Sequence, residues 1–284
     1  MTATGILLVS CPDQPGIVAA VASFVASHGG NVIDLQQHTD HTDAAFFQRV
    51  EFELDRFDLA RADIATAFAP VAERYDMRWS LRFSDERVRV GILASSEPHC
   101  LQDVLNRWRT GELPVDVEVV VSNHPDHADL AAWFGVPYRH LPIGDGGRDA
   151  QEAEVRRALE DHRVGLVVLA RYMQVLSPGL CERWAERVIN IHHSFLPSFQ
   201  GARPYHQAHE RGVKLIGVTA HYATAELDDG PIIEQEVLRV SHRDDVEDLR
   251  RKGRDLEVNV LARAVRAHIE HRTLVYGKRT VVFD

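Results

Sequence analysis

Four polar side chains of three chemical kinds fall within five positions in NIHHS, residues 190–194: an amide, two imidazoles and a hydroxyl. They follow Arg187-Val188-Ile189, an apolar run that reads as the end of a strand. Side chains alternate along a strand, so Asn190 and His192 share one face and Ile191 takes the other. His193 then lies on the side of Ile191 or leaves the strand. An amide N–H and an imidazole on one face can reach the same carbonyl oxygen, which equips an oxyanion hole with a proton source beside it. A second stretch, GVTAHYATAELDDGPII (217–233), carries Asp228-Asp229-Gly230-Pro231 as a turn, so a carboxylate can stand on a loop over strand ends. A carboxylate beside an imidazole raises its proton affinity and can orient it or carry a proton. His221 precedes that turn in a strand-like run.

His192, His193, His221 and Asp228 could also ligate a metal. No HxxxH or HExxH pair on a helix fixes two imidazoles together, and adjacent histidines on a strand point apart, so no metal is expected. Ser194 and Ser198 lack the G-x-S-x-G elbow of an acyl-enzyme nucleophile.

The elements that must position these groups fall into two patterns. Residues 5–83 read as βαββαβ, a small sheet with two helices on one face: GILLVSC, a DQPG turn, IVAAVASFVASHGG, NVIDLQQHTD, AFFQRVEFEL, LARADIATAFAPVAERYD and MRWSLRF. After a polar break at 84–87 the pattern becomes strand–helix alternation. The strands 88–94, 115–123, 137–142, 164–170 and 187–193 are nearly continuous apolar runs, which implies a doubly wound, mostly parallel sheet. KLIGVTAHYAT and PIIEQEVLRV adjoin as strands, DDVEDLRRKGRDLEVNVLARAVRAHIEH is a long amphipathic helix, and LVYGKRTVVF closes as a strand or hairpin. Two domains are expected, 1–84 and 85–284. Ligands of such sheets bind beyond the carboxyl ends of the strands, where SSEPHC (95–100), LARYMQVLSP (169–178) and NIHHS converge.

The net charge of −10 argues against a nucleic-acid binder. Cys11, Cys100 and Cys181 form no CxxC and suit three unpaired thiols in a reducing compartment. No leader-like segment and no run of about 18 apolar residues is present, so the chain reads as cytoplasmic and not membrane-bound.

NIHHSFLPSFQG together with GVTAHYATAELDDGPII resembles the formyltransferase family that uses 10-formyltetrahydrofolate. The resemblance covers roughly 88–284 and implies that Asn190, His192 and Asp228 are the catalytic trio, with Asn190 and His192 expected to stabilise the oxyanion and Asp228 to orient His192 or the water and accept the proton. LARYMQVLSP matches the segment bordering the pterin cleft, so Met173, Gln174, Val175 and Leu176 are implied folate contacts. His193, His221 and Gly201 are further substrate-binding candidates. The 5–83 unit resembles an ACT domain, with DQPGIV at its first turn. That module implies a homo-oligomer, dimer or tetramer, and an amino-acid effector near Asp13–Gly16 and Asn31, or a purely assembling role.

An ACT domain ahead of this catalytic domain is the layout of the formyltetrahydrofolate deformylase family. That resemblance implies hydrolysis of the folate substrate to formate and tetrahydrofolate, balancing one-carbon pools and supplying formate toward purine biosynthesis, with no cofactor. The alternatives are a transferase with an amine acceptor and an amino-acid-responsive binding protein without catalysis. The transformylases that act on glycinamide ribonucleotide carry a Gly-rich phosphate loop where this chain reads ASSEPHCLQ, with no glycine, an acidic Glu97 and the N–H-less Pro98. His193 stands where the transferases keep proline, and either touches the acceptor-side water or only packs. Gln174 replaces an arginine found in some of them.

Overall fold

In a computed structural model, residues 3–198 and 203–284 are described. The chain falls into two compact units, Met1–Glu86 with Glu270–Leu274 and Val281–Asp284, and Arg87–Ile269 with Val275–Thr280.

The first unit runs β1 (Thr4–Pro12), α1 (Ile17–Ser27), β2 (Val32–Asp40), β3 (Ala45–Glu53), α2 (Arg61–Arg74) and β4 (Arg78–Phe83). Its antiparallel sheet has the order β2-β3-β1-β4, the βαββαβ arrangement expected from the sequence. Val21 and Phe24 of α1, Ile64 and Phe68 of α2, and Leu7, Val9 and Val50 of the sheet bury one another in a single cluster.

The second unit runs β5 (Arg89–Ala94), α3 (His99–Arg109), β6 (Asp116–Ser122), α4 (Ala128–Phe134), β7 (Tyr138–His140), α5 (Gly147–Asp161), β8 (Leu166–Ala170), α6 (Pro178–Arg183), β9 (Val188–His192), α7 (Pro204–Glu210), β10 (Leu215–Tyr222), β11 (Ile232–Arg239) and α8 (Val246–Ile269). A hairpin of β12 (Thr273–Tyr276) and β13 (Arg279–Val282) follows. The main sheet has the order β11-β10-β9-β8-β5-β6-β7. Strands β5 to β9 are parallel, while β10 runs antiparallel to β9 and β11 antiparallel to β10. Strand order reverses between β5 and β8, so the loops leaving their carboxyl ends flank the crevice in which such sheets bind ligands.

Both faces of this sheet are covered, which is why β8 is apolar at every position and β5 at every position after Arg89. Ile189 and Ile191 of β9 pack with Leu105 of α3 and Val260 of α8. Val188 packs on the other side with Val155 of α5 and Leu180 of α6. The alternation predicted for 188–192 is thereby realised. Strand–helix alternation implies a helix between β8 and β9, where α6 stands, but neither α6 nor α7 is marked by its own period, because six or seven residues are too few for an amphipathic period to show. Their start signals are legible in retrospect. Ser177 caps α6, its Oγ accepting from the Leu180 N–H at 3.2 Å, and prolines open both helices.

Candidate active site

Strand β9 ends on Asn190 and His192, and its antiparallel neighbour β10 sets their surroundings by register. His221 lies opposite Asn190, and Thr219 opposite His192. The His221 Nδ1–H donates to the Tyr222 carbonyl at 3.0 Å, so Nε2 is left as an acceptor. Asn190 Nδ2 lies 3.2 Å from that Nε2 and donates one of its two hydrogens to it. This fixes which end of the amide is nitrogen and leaves its second N–H for another acceptor. Burial lowers the pKa of His221, which keeps the acceptor lone pair available.

Asp228 stands on the loop between β10 and β11 with a left-handed backbone, φ 56°, a conformation Asp tolerates better than most residues. Its Oδ1 is 3.1 Å from His192 Nδ1 and 3.9 Å from His221 Nε2, and its side chain is buried. Burial favours the protonated acid, but the hydrogen bond and charge of His192, with smaller contributions from His221 and His193, outweigh it and hold the pKa below the usual carboxylate value. A carboxylate must accept, so His192 carries its proton on Nδ1. The opposite ring nitrogen, Nε2, is buried and has no hydrogen-bond partner among the described residues. Asp229 turns away to pair with Lys278 and is exposed.

The loop can take this path only because residue 230 is glycine. A Cβ there would sit 1.7 Å from the Tyr222 carbonyl oxygen and 3.2 Å from His221 Nδ1. Gly230→Ala must push the Asp228 loop off β10. The substitution is expected to cost roughly 1–3 kcal/mol of stability, read from denaturant unfolding, with turnover falling further than the stability loss explains.

The turn after β9 is tied down by Thr219. Its Oγ1 accepts from the Leu196 N–H (3.0 Å) and from Gln235 Nε2 (2.9 Å), and donates to the Ser194 carbonyl (2.9 Å). Ser194 is buried with its hydroxyl donating to the Ser198 carbonyl at 2.9 Å, a structural role. The expectation that adjacent histidines point apart is not met. The strand ends at His192, and the released His193 ring stacks on it at 5.2 Å with planes 10° apart.

Asn190, His192, His193, His221 and Asp228 line one cavity of about 500 Å³. Met173, Gln174, Val175 and Leu176 line the same cavity, on the segment that follows β8. Met173 and Val175 are about half exposed there (55% and 50%), apolar surface turned toward the cavity as a ring-binding wall would be. Ser95 stitches this wall to the loop ends, its Oγ accepting from the Met173 N–H (2.9 Å) and donating to Asn123 Oδ1 (2.7 Å). Gly201 lies outside the described residues.

Sequence reasoning passed over a second set of polar groups. Arg171 and Arg203, both with left-handed φ, also line the cavity. Behind Arg171 sits Glu257, 1% exposed. Its Oε2 lies 2.7 Å from His99 Nε2 and 3.4 Å from Arg171 Nε, and its Oε1 accepts from the Tyr205 hydroxyl at 2.9 Å. Burial pushes the Glu257 pKa up, yet the bonds and charges of His99, Arg171 and Tyr205 bring it below the ordinary value, so it is a buried anion. The signal was present: Glu257 interrupts the apolar stripe Leu249, Gly253, Leu256, Val260, Leu261 of α8. His99, Cys100 and Glu257 also bring one nitrogen, one sulfur and one oxygen within 4.8 Å of each other. Glu257 already neutralises a guanidinium, and burial raises the Cys100 thiol well above its usual pKa, which makes this a poor metal site.

His193 and His271 are each lowered from 6.5 to about 4, by burial first and by neighbouring arginines second. Both are neutral in the fold and protonate earlier when it unfolds. Their contribution to stability is complete above pH 6.5 and is lost as pH falls from 6.5 toward 4, on the order of 3 kcal/mol for each. A melting temperature that declines steadily over that window is expected, and His193→Gln should flatten the decline.

Comparison with known proteins identifies the family. Residues 88–265 match the formyl transferase family model, and residues 5–62 match the ACT domain model. The chain is 53% identical to a formyltetrahydrofolate deformylase of Synechocystis, covering 99% of this chain and 98% of that one. It is 47% identical to the deformylase of Bacillus subtilis, over 99% and 94% of the two chains. A crystal structure of a formyltetrahydrofolate deformylase from Pseudomonas syringae superposes with a TM-score of 0.98 at 50% identity, covering 100% of this chain and 95% of that one. Glycinamide ribonucleotide transformylase 1 of Symbiobacterium toebii gives a TM-score of 0.68 at 35% identity and covers only 72% of this chain, against 98% of its own. The deformylases thus match from end to end, where this transformylase matches only part, and the chain belongs to the formyltetrahydrofolate deformylase family.

Proposed function

We propose that this enzyme hydrolyses 10-formyltetrahydrofolate to formate and tetrahydrofolate, with Asn190, His192 and Asp228 as its catalytic residues. The observation that carries the reading is the buried Asp228–His192 pair, with His192 Nε2 and the second amide N–H of Asn190 making no hydrogen bond among the described residues and both side chains lining one cavity. The formyl oxygen takes the second N–H of Asn190. Water attacks the formyl carbon and gives its proton to His192 Nε2, and Asp228 stabilises the imidazolium that results. The new Nε2–H supports the oxyanion and then passes to N10 as the C–N bond breaks. Both hydrogen bonds to the oxyanion strengthen as its charge grows, which is what accelerates the reaction.

Water is preferred to an amine acceptor on the character of the loop after β5. Glu97 lies 3.6 Å from Arg254 and 3.8 Å from His99, and Pro98 stands before the first residue of α3. A phosphorylated acceptor would meet a carboxylate there and find no proline N–H. Neither a metal nor a cofactor has a step in this scheme. The ACT unit is assigned to assembly into a dimer or tetramer and to an amino-acid effector near Asp13–Gly16 and Asn31. The reaction would return tetrahydrofolate to the one-carbon pool and yield formate for purine synthesis. Purified protein given 10-formyltetrahydrofolate alone should release formate stoichiometrically with tetrahydrofolate; release that begins only after an amine acceptor is added would refute the reading.

A further inference from the structure

Two groups in the cavity have no part in the scheme above, and both are buried with hydrogen-bonding capacity unused. The Arg171 side chain is 13% exposed, and among the described residues neither Nε nor Nη1 makes a hydrogen bond and the only close anion is Glu257, 3.4 Å from Nε. His193 Nδ1 is likewise buried without a partner among the described residues. Donors left bare in this way cost free energy unless a ligand meets them. The two residues are neighbours of the reacting groups: His193 stacks on His192, Tyr205 stacks on His193 at 6.0 Å, and Arg171 lines the same cavity as Asn190.

The position of Arg171 is held with some care. Glu257 is itself fixed by His99 and Tyr205, and the Tyr205 ring needs Gly253, where a Cβ would lie 1.9 Å from its hydroxyl. The anion behind Arg171 offsets much of the cost of burying its charge, and the unbonded Nη1 remains for a small acceptor. Burial and the nearby guanidinium keep His193 neutral above about pH 4, so it adds a hydrogen-bonding atom and no competing cation.

We propose that Arg171 and His193 form a small-carboxylate subsite that aligns the attacking water and then retains its oxygen as part of formate. This rests on the hydrolytic reading. The water oxygen forms the new C–O bond, the C–N10 bond breaks, one water proton reaches N10 through His192, and the other leaves to solvent as formic acid ionises. The negative charge of the product therefore arises on an oxygen that began as water, and Arg171 supplies the planar N–H groups that suit it.

The test is direct binding of ¹³C-formate to the full-length protein, read by broadening of its NMR line at ionic strength held with chloride, with ¹³C-acetate in parallel. The variant is Arg171→Gln with Glu257→Gln, which removes the buried pair together and avoids stranding one charge. We expect saturable broadening of formate in the wild type, formate bound in preference to acetate, and binding weaker by about tenfold or more in the double variant, with tetrahydrofolate affinity retained. Absence of saturable broadening in the wild type, or equal formate binding by a folded double variant, overturns the subsite. If the double variant does not fold, His193→Phe keeps the stack, removes both ring nitrogens, and must also weaken formate binding. Because binding is read without turnover, the two claims fail separately. An enzyme that needs an amine to release its formyl group would overturn the water-alignment role even if formate bound.

Discussion

Asp228→Asn is expected to lower kcat by about 10³- to 10⁴-fold with little change in folate affinity or melting temperature. In the proposed mechanism the carboxylate has two functions that an amide cannot perform together. It accepts the Nδ1–H of His192 at 3.1 Å, which reserves Nε2 for the reacting proton, and its charge stabilises the imidazolium. A carboxamide supplies no charge, and by presenting Nδ2–H it can drive the imidazole into the tautomer with Nε2 already protonated. The backbone is not at issue, because Asn tolerates φ 56° as well as Asp does. Loss of kcat with KM preserved is therefore the signature of the chemical step. Near-normal turnover would remove Asp228 from the mechanism, and Asp229, bound to Lys278 on the exposed side of the loop, offers no replacement in this geometry.

Asn190→Ala is expected to cost on the order of 10²- to 10³-fold in kcat, the usual consequence of losing one donor to a developing oxyanion. The case rests on how firmly that donor is set. His221 is opposite Asn190 in the β9–β10 ladder, is anchored by the Tyr222 carbonyl, and takes one amide hydrogen at 3.2 Å. Such an arrangement needs no reorganisation as charge develops, which is the condition for a large effect. A loss confined to KM would mean that the amide binds the ground state and transition state equally. Single-turnover rates with saturating folate distinguish the two.

Much of this was legible in the sequence, for definite reasons. Period-2 alternation placed Asn190 and His192 together because β9 is buried on both faces, and a buried strand cannot slip by one residue without reversing every side chain. The doubly wound pattern placed the segments after β8 and β9 at one cavity, with Ser95 after β5 bonded to the first of them, because the parallel sheet puts the carboxyl ends of its strands on one side. What escaped was set by tertiary contact. The stacking of His193 on His192 depends on the strand ending at 192, which local sequence does not specify. The role of His221 follows from antiparallel register, and the Arg171–Glu257 pair joins residues 86 positions apart. Glu257 in an apolar helical stripe was a visible anomaly, but its partners were not.

In the proposed reaction, water takes the formyl group at the Asn190–His192–Asp228 site. A single turnover of 10-formyltetrahydrofolate in H₂¹⁸O, with no amine present and the formate analysed by mass spectrometry, tests it most directly. Formate carrying one solvent oxygen is expected, formed as fast as tetrahydrofolate appears and lost in Asp228→Asn. A formyl group that stays on the folate until an amine is added, and then appears in an amide with no solvent oxygen, would contradict it.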